Sequence, residues 1–425
     1  MSTLAIENGR VVDPASGLDS VRNIFIADGR IVALGAPPAG FAPQRVLDAR
    51  GLVVAPGLVD LCARMREPGA EGALRGEMRA ALAGGVTGLS CPPDTDPPLD
   101  EPGLVRMLRQ RSREAAGARL YPLGALTAAL AGQALAEMHT LSEVGCVAFA
   151  QTGTLPVNLG TLLQALRYAS TFDLPVWLRP VDASLSGDGV AADGAQSMWL
   201  GLPGIPVAAE TVALHTIFEL QRAAGTRIHI CRLSSAEGVA LVRAARREGL
   251  PVTADVSVQH LHLVDENIGY YDTSCRLDPP LRAARDRAAI RAGLADGTID
   301  AVCSDHAPVS QEDKLLPFGE ARAGASSLET LLPLILAWAN AESLPLARAL
   351  GAVTAAPARI LREDTGMLAA GRKADIVIFD PLAHWTVQPE SFLSSGHNSP
   401  FAGQAMTGRV RYTLVGGEVR FEAAA

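Results

Sequence analysis

Two segments near the start of the chain alternate apolar and polar residues: Leu4-Ala5-Ile6-Glu7-Asn8-Gly9-Arg10-Val11-Val12 and Asn23-Ile24-Phe25-Ile26-Ala27-Asp28-Gly29-Arg30-Ile31-Val32. A period of two argues for strands. The Asn-Gly and Asp-Gly pairs between apolar runs predict two-residue hairpin turns, because both turn positions need positive φ. The C-terminus has the same character in Ala374-Asp375-Ile376-Val377-Ile378-Phe379 and in the run from Val410 to Val419. Two β-rich ends around a different middle predict one small β-sandwich domain built from both termini, residues 1–55 and 365–425.

Between them, short apolar runs alternate with segments of helical period, the mark of βα units around a parallel sheet. Eight strands are expected near Leu58–Leu61, Gly88–Cys91, Leu120–Leu123, Val147–Ala150, Val176–Leu178, Ile228–Cys231, Val252–Val256 and Ala301–Ser304. Helices are expected over Leu74–Ala83, Leu104–Ala115, Ala209–Ala223, Glu237–Arg247 and Arg285–Leu294. Eight such units over about 300 residues predict an α/β fold, a (β/α)8 TIM-type barrel spanning 56–364. Chemistry is then expected at the strand ends.

Charge narrows the partners. A formal net charge of -8 excludes a nucleic-acid or anionic-membrane partner, since either needs a basic face. The start, Met1-Ser2-Thr3, has no basic residues followed by an apolar stretch, and a cytoplasmic location is expected. The most apolar helical run, Thr330 to Ala341, contains Pro333 and is bracketed by Glu329 and Glu342, so it reads as a buried helix. Six cysteines without a C-x-x-C pair predict free thiols and neither disulfides nor a cysteine-rich zinc site.

An ordered series of motifs runs along nearly the whole chain. It comprises Gly57-Leu58-Val59-Asp60-Leu61-Cys62-Ala63-Arg64-Met65-Arg66-Glu67-Pro68-Gly69, Gly201-Leu202-Pro203-Gly204-Ile205-Pro206, Val252-Thr253-Ala254-Asp255-Val256, Asp278-Pro279-Pro280-Leu281-Arg282, Asp305-His306-Ala307-Pro308, Gly371-Arg372-Lys373-Ala374-Asp375 and Asn398-Ser399-Pro400-Phe401. Together they resemble the dihydroorotases of the cyclic amidohydrolase superfamily. The resemblance implies a barrel carrying two metal ions that activate water against a cyclic amide, with a last-strand aspartate moving the proton. Such a centre takes neutral histidines and carboxylates.

At the positions the resemblance assigns to ligands, this chain departs from the pattern. The first-strand His-x-His pair falls on Cys62 and Arg64. The strand-four carboxylate falls on Gln151-Thr152, the strand-five His on Arg179 and the strand-six His on Arg232. Asp305, the implied base, is retained, as is Arg66, which by resemblance forks onto a substrate carboxylate. Two implied substrate-binding asparagines fall on Asp94 and Asp278, and an implied histidine on Val309. The family zinc is therefore expected to be lost and Asp305 to be a vestigial base. Arg66, Asp94, Asp278 and His306 then form a vestigial pocket.

Other histidines offer no substitute set. His260 and His262 read as satisfied polar residues near a loop, and His306 as a brace for the loop after strand eight. Alternation turns His229 away from Arg232, towards the helices. The three new arginines suggest a specific replacement: Arg64, Arg179 and Arg232 donate to Asp305, Asp94, Asp278 or Asp255, substituting guanidinium charge for metal charge. An arginine cluster that binds an anionic effector is the other reading.

The resemblance is nearest to non-catalytic dihydroorotase-like proteins that partner aspartate carbamoyltransferase in pyrimidine synthesis. It implies a scaffold, as a homodimer or in a larger hetero-oligomer. The alternative is a divergent amidohydrolase with an atypical or absent metal centre.

Overall fold

The computed structural model describes residues 3–65, 73–115, 117–156 and 158–424. Eight parallel strands follow one another around a barrel in chain order: Leu58–Asp60, Val86–Cys91, Arg119–Ala125, Ala148–Gln151, Val176–Leu178, Ile228–Ile230, Val252–Ser257 and Ala301–Cys303. They are called strands one to eight below. Their alternation builds two cores. Val59, Leu123, Ala148, Ala150, Trp177, Ala301 and Cys303 fill the interior, while Leu58, Phe149, Val176, Leu178, Ile228, Ile230 and Val302 face the surrounding helices. The helix Leu331–Ala341 is buried along most of its length, as its composition predicts.

Strands one and eight do not form a ladder. Val59 N and Val302 N instead donate to the successive carbonyls of Val353 and Ala352, at 2.8 and 3.0 Å. Asp60, fully buried, bridges the gap by accepting from the Ser304 backbone N–H at 2.7 Å and from its hydroxyl. Burial pushes the Asp60 carboxyl up to about 6 despite these donors. Beyond the strand ends the two chains meet again, with Arg64 N donating to His306 O at 2.8 Å and His306 N to Cys62 O at 3.1 Å. This seam sets Cys62, Arg64 and Asp305 side by side.

The termini form one eight-stranded sheet with its own core of Leu4, Ile6, Ile24, Ile26, Val54, Ile376, Ile378 and Leu414. Asp28-Gly29 makes the expected hairpin turn, with φ of 48° and 78° between the paired Ala27 and Arg30. Asn8-Gly9 does not. The strand Thr3–Asp13 runs straight through it, and Asn8 takes φ 62° in a bulge where the register shifts between Ile6 and Gly9. Packing decides this: a Cβ on Gly9 would lie 2.5 Å from Val54 Cγ2, so the glycine serves a close approach. Among the described residues no helix is long and apolar enough to cross a membrane.

Candidate functional site

Asp305 sits just past strand eight with φ 48°, a left-handed turn that swings its carboxylate over the barrel mouth. Four groups converge on it. Arg232 Nη1 donates to Oδ1 at 3.0 Å, Arg64 Nη1 lies 3.6 Å from the same oxygen, the Ser257 hydroxyl donates to Oδ2 at 2.9 Å, and the Cys62 thiol lies 3.6 Å from Oδ1. Burial works to raise this carboxyl, but Arg232 and then Arg64 hold it below its ordinary range. An acid so held is a fixed counter-ion and a poor proton acceptor.

The other arginines are paired too. Arg64 Nε donates to Asp94 at 2.9 Å, and Arg179 grips both oxygens of Asp278 with its two terminal nitrogens. Arg232 adds a bond to the Asp278 carbonyl at 3.1 Å, and its backbone N–H donates to Asp255 at 2.7 Å. All three guanidiniums thus meet the acids that charge arithmetic pointed to. Asp94 lies on the Arg64 side, and Asp278 lines a cleft beside strands five to seven.

Arg232 reaches the mouth because its φ of 57° breaks the strand alternation. By parity it would join Ile228 and Ile230 on the helix side. Alternation counted from Arg232 predicts that His229 packs among the helices, and the structure corrects this. His229 lies inside the barrel, against Trp177 with ring centroids 4.6 Å apart, and contacts Asp255 at 2.9 Å and Thr253 Oγ1 at 2.9 Å.

His306 is fully buried and turned away from the mouth. Its Nδ1 accepts from Ser327 N at 3.0 Å, which leaves Nε2 to donate to Glu77 at 2.7 Å. It is a brace, and not a member of the pocket. Gln151 and Thr152 both line a small space with Cys62, Trp177 and Arg232, while the Gln151 amide donates to Leu130 O at 2.7 Å and accepts from Thr127 Oγ1 at 2.8 Å. His260 and His262 bind the carbonyls of Pro280 and Leu334. Arg66 lies outside the described residues.

These residues do not fit a two-metal centre. The positions that the resemblance assigns to histidines carry Cys62, Arg64, Arg179 and Arg232, and two of these guanidiniums pair with Asp305. Among the described residues, one trio of donors lies close enough to hold an ion: His229, Cys231 and Asp255, within 4.8 Å of one another. His229 contacts Thr253 Oγ1 and Asp255, and Asp255 accepts from the Arg232 backbone N–H.

Ser257, Arg276 and Glu210 were not singled out by sequence. Ser257 completes the Asp305 shell, Arg276 lines the cleft, and Glu210 accepts from the backbone and hydroxyls of Ser234 and Ser235. Only the proximity of Arg276 to Asp278 hinted at it.

Comparisons with known proteins agree with this architecture. The dihydro-orotase-like family profile matches residues 51–238 and the amidohydrolase family profile residues 204–420. A dihydroorotase-like protein of Pseudomonas putida is 46% identical over 98% of this chain and 99% of its own. One from Pseudomonas aeruginosa is 44% identical over 99% and 100%. A protein named dihydroorotase from Anaeromyxobacter dehalogenans is 40% identical over 99% and 98%. In fold, the L-hydantoinase of Arthrobacter aurescens superposes with a TM-score of 0.88 at 24% identity, covering 99% of this chain and 96% of that one. On these matches and the barrel that carries them, the chain belongs to the dihydroorotase-like members of the amidohydrolase family.

Proposed function

We propose that this protein is a non-catalytic dihydroorotase homologue that acts in the cytoplasm as a structural and regulatory partner of aspartate carbamoyltransferase in pyrimidine synthesis. The observation that carries the reading is the pairing of Arg232 and Arg64 with Asp305, which spends the retained acid on ion pairs where hydrolysis needs an activated water and a free base. A fold kept intact around such a site puts the function on the outer surface. Trp199, Met198 and Tyr270 are 70%, 74% and 85% exposed, and Gln196 and Tyr271 tie their two segments together through Gly269 O and Leu200 O. Large exposed apolar side chains of this kind favour a protein interface. The relatives at 46% and 44% identity are named dihydroorotase-like proteins, which supports the same reading.

Co-purification with the transferase of the same cell tests the proposal. The expected result is a hetero-oligomer whose assembly mass and transferase activity depend on this chain. A monodisperse chain that leaves the transferase unchanged would refute it. The second reading, a divergent amidohydrolase, draws on the His229, Cys231 and Asp255 trio. Stoichiometric zinc in purified protein, with hydrolysis of a cyclic amide, would establish that reading instead.

A further inference from the structure

Beside the ion pairs on Asp305, the ends of strands five to seven enclose a cleft of about 250 Å³. Four guanidiniums line it, Arg179, Arg232, Arg276 and Arg282, against two carboxylates, Glu210 and Asp278. The carboxylates are committed. Asp278 gives both oxygens to Arg179, and Glu210 gives both to Ser234 and Ser235. Arg282 is satisfied as well, donating to Ser234 Oγ at 2.8 Å and Ile205 O at 3.4 Å.

What remains is Arg276, since Asp305 already takes Arg232 and Asp278 takes Arg179. The Nε groups of Arg179, Arg232 and Arg276 have no partner, and the first two side chains belong to residues only 8% and 5% exposed. Arg276 makes one long contact, Nη1 to Leu277 O at 3.5 Å, and no ion pair is formed by it among the described residues. Lys314 adds a cation nearby, its ammonium 3.2 Å from the Arg276 carbonyl. Guanidiniums gathered in a partly desolvated cleft repel one another unless an anion joins them, and their planar forks match phosphate and carboxylate oxygens.

We infer that this cleft binds a small dianion of the phosphate or dicarboxylate class, with Arg276 as its principal donor. Its volume is below that of pockets for drug-sized ligands, roughly 300–1,000 Å³. Arg64 and Asp94 do not line it, so the site is displaced from strand one. The inference stands on the cleft alone and is independent of the transferase partnership.

Calorimetric titration of the purified full-length chain with inorganic phosphate, and separately with malonate, tests it at an ionic strength matched with chloride. One binding event per chain is expected for at least one probe, weakened about tenfold or more in Arg276→Gln, the scale of one charge-assisted hydrogen bond. Arg420→Gln, an equal charge change on the terminal sheet, is expected to bind as the parent does. Should Arg276→Gln not fold, Ser186→Trp fills the cleft and is expected to abolish binding. Binding by phosphate alone or malonate alone supports the site and identifies its class. The inference is overturned if neither probe binds above chloride, or if Arg276→Gln and Arg420→Gln weaken binding equally. A chain that ignores both anions yet co-purifies with the transferase overturns only this inference.

Discussion

Arg232→Met keeps much of the side-chain stem and removes the cation that holds Asp305. At 3.0 Å and an effective dielectric constant of about 20, the Arg232–Asp305 attraction is roughly 5–6 kcal/mol before desolvation is subtracted. Stranding one member of a buried pair costs about 3–5 kcal/mol. Arg64 at 3.6 Å and the Ser257 hydroxyl at 2.9 Å remain to hold Asp305, so the lower end applies and about 3 kcal/mol is expected. Urea unfolding at pH 7, read as a shift in midpoint with the slope unchanged, measures it. Asp305→Asn alone leaves two guanidiniums facing each other and costs a similar amount. The double variant is expected to lose at least about 1.5 kcal/mol less than the sum of the two. The sign with pH follows from the depressed Asp305 carboxyl: its stabilisation is present above the ordinary carboxylate range and lost as pH falls, so the deficit of Arg232→Met narrows below about pH 4. A cost under about 1 kcal/mol at pH 7, or strict additivity in the cycle, would refute the reasoning.

Three further outcomes test the frame around the site. His306 and the Ser395 hydroxyl hold the buried Glu77 carboxyl down to about 2 against its own desolvation, so its stabilisation is present above pH 4.5 and fades towards pH 2; Glu77→Gln is expected to cost about 3 kcal/mol near neutrality and to flatten the acid limb of melting midpoint against pH. Glu329 runs the other way. Burial pushes it up to about 7, which favours the folded state at low pH and weakens it as pH rises through 7; Glu329→Gln keeps the acceptor for Leu393 N and is expected to gain about 1–2 kcal/mol at pH 8, measured by denaturant unfolding. Gly84→Ala places a Cβ 2.0 Å from Leu328 O and is expected to cost about 3 kcal/mol or prevent folding. Gly103→Ala, in open space on the helix Pro102–Glu114, is expected to gain up to about 1 kcal/mol by the same thermal assay.

Much of the architecture was legible in the residue pattern. All eight barrel strands fall where the apolar runs predict, because buried parallel strands are continuous hydrophobic segments bounded by turns. The residues Cys62, Arg64, Arg179 and Arg232 could be picked out as well, since a motif read in order shows where the chain departs from the pattern it resembles. Less legible was where each side chain points once a strand has ended. Alternation misplaced His229 because it was counted from Arg232, whose left-handed φ had already broken the count. Asn8-Gly9 carried a turn signal that close packing on Val54 and Ala49 converted into a bulge.

The sequence by itself determined the element order, the barrel, the terminal β unit and the chemical identity of what stands at the ligand positions. These follow from local periodicity and residue type, and neither needs a distant neighbour. Only the tertiary structure decided that Arg232 and Arg64 converge on Asp305, that Arg179 takes Asp278, that His306 serves Glu77, and that Arg276 forms no ion pair among the described residues. Those choices join residues far apart in the chain, 229 positions for Glu77 and His306, and they depend on backbone turns beyond the strand ends that no repeating pattern records.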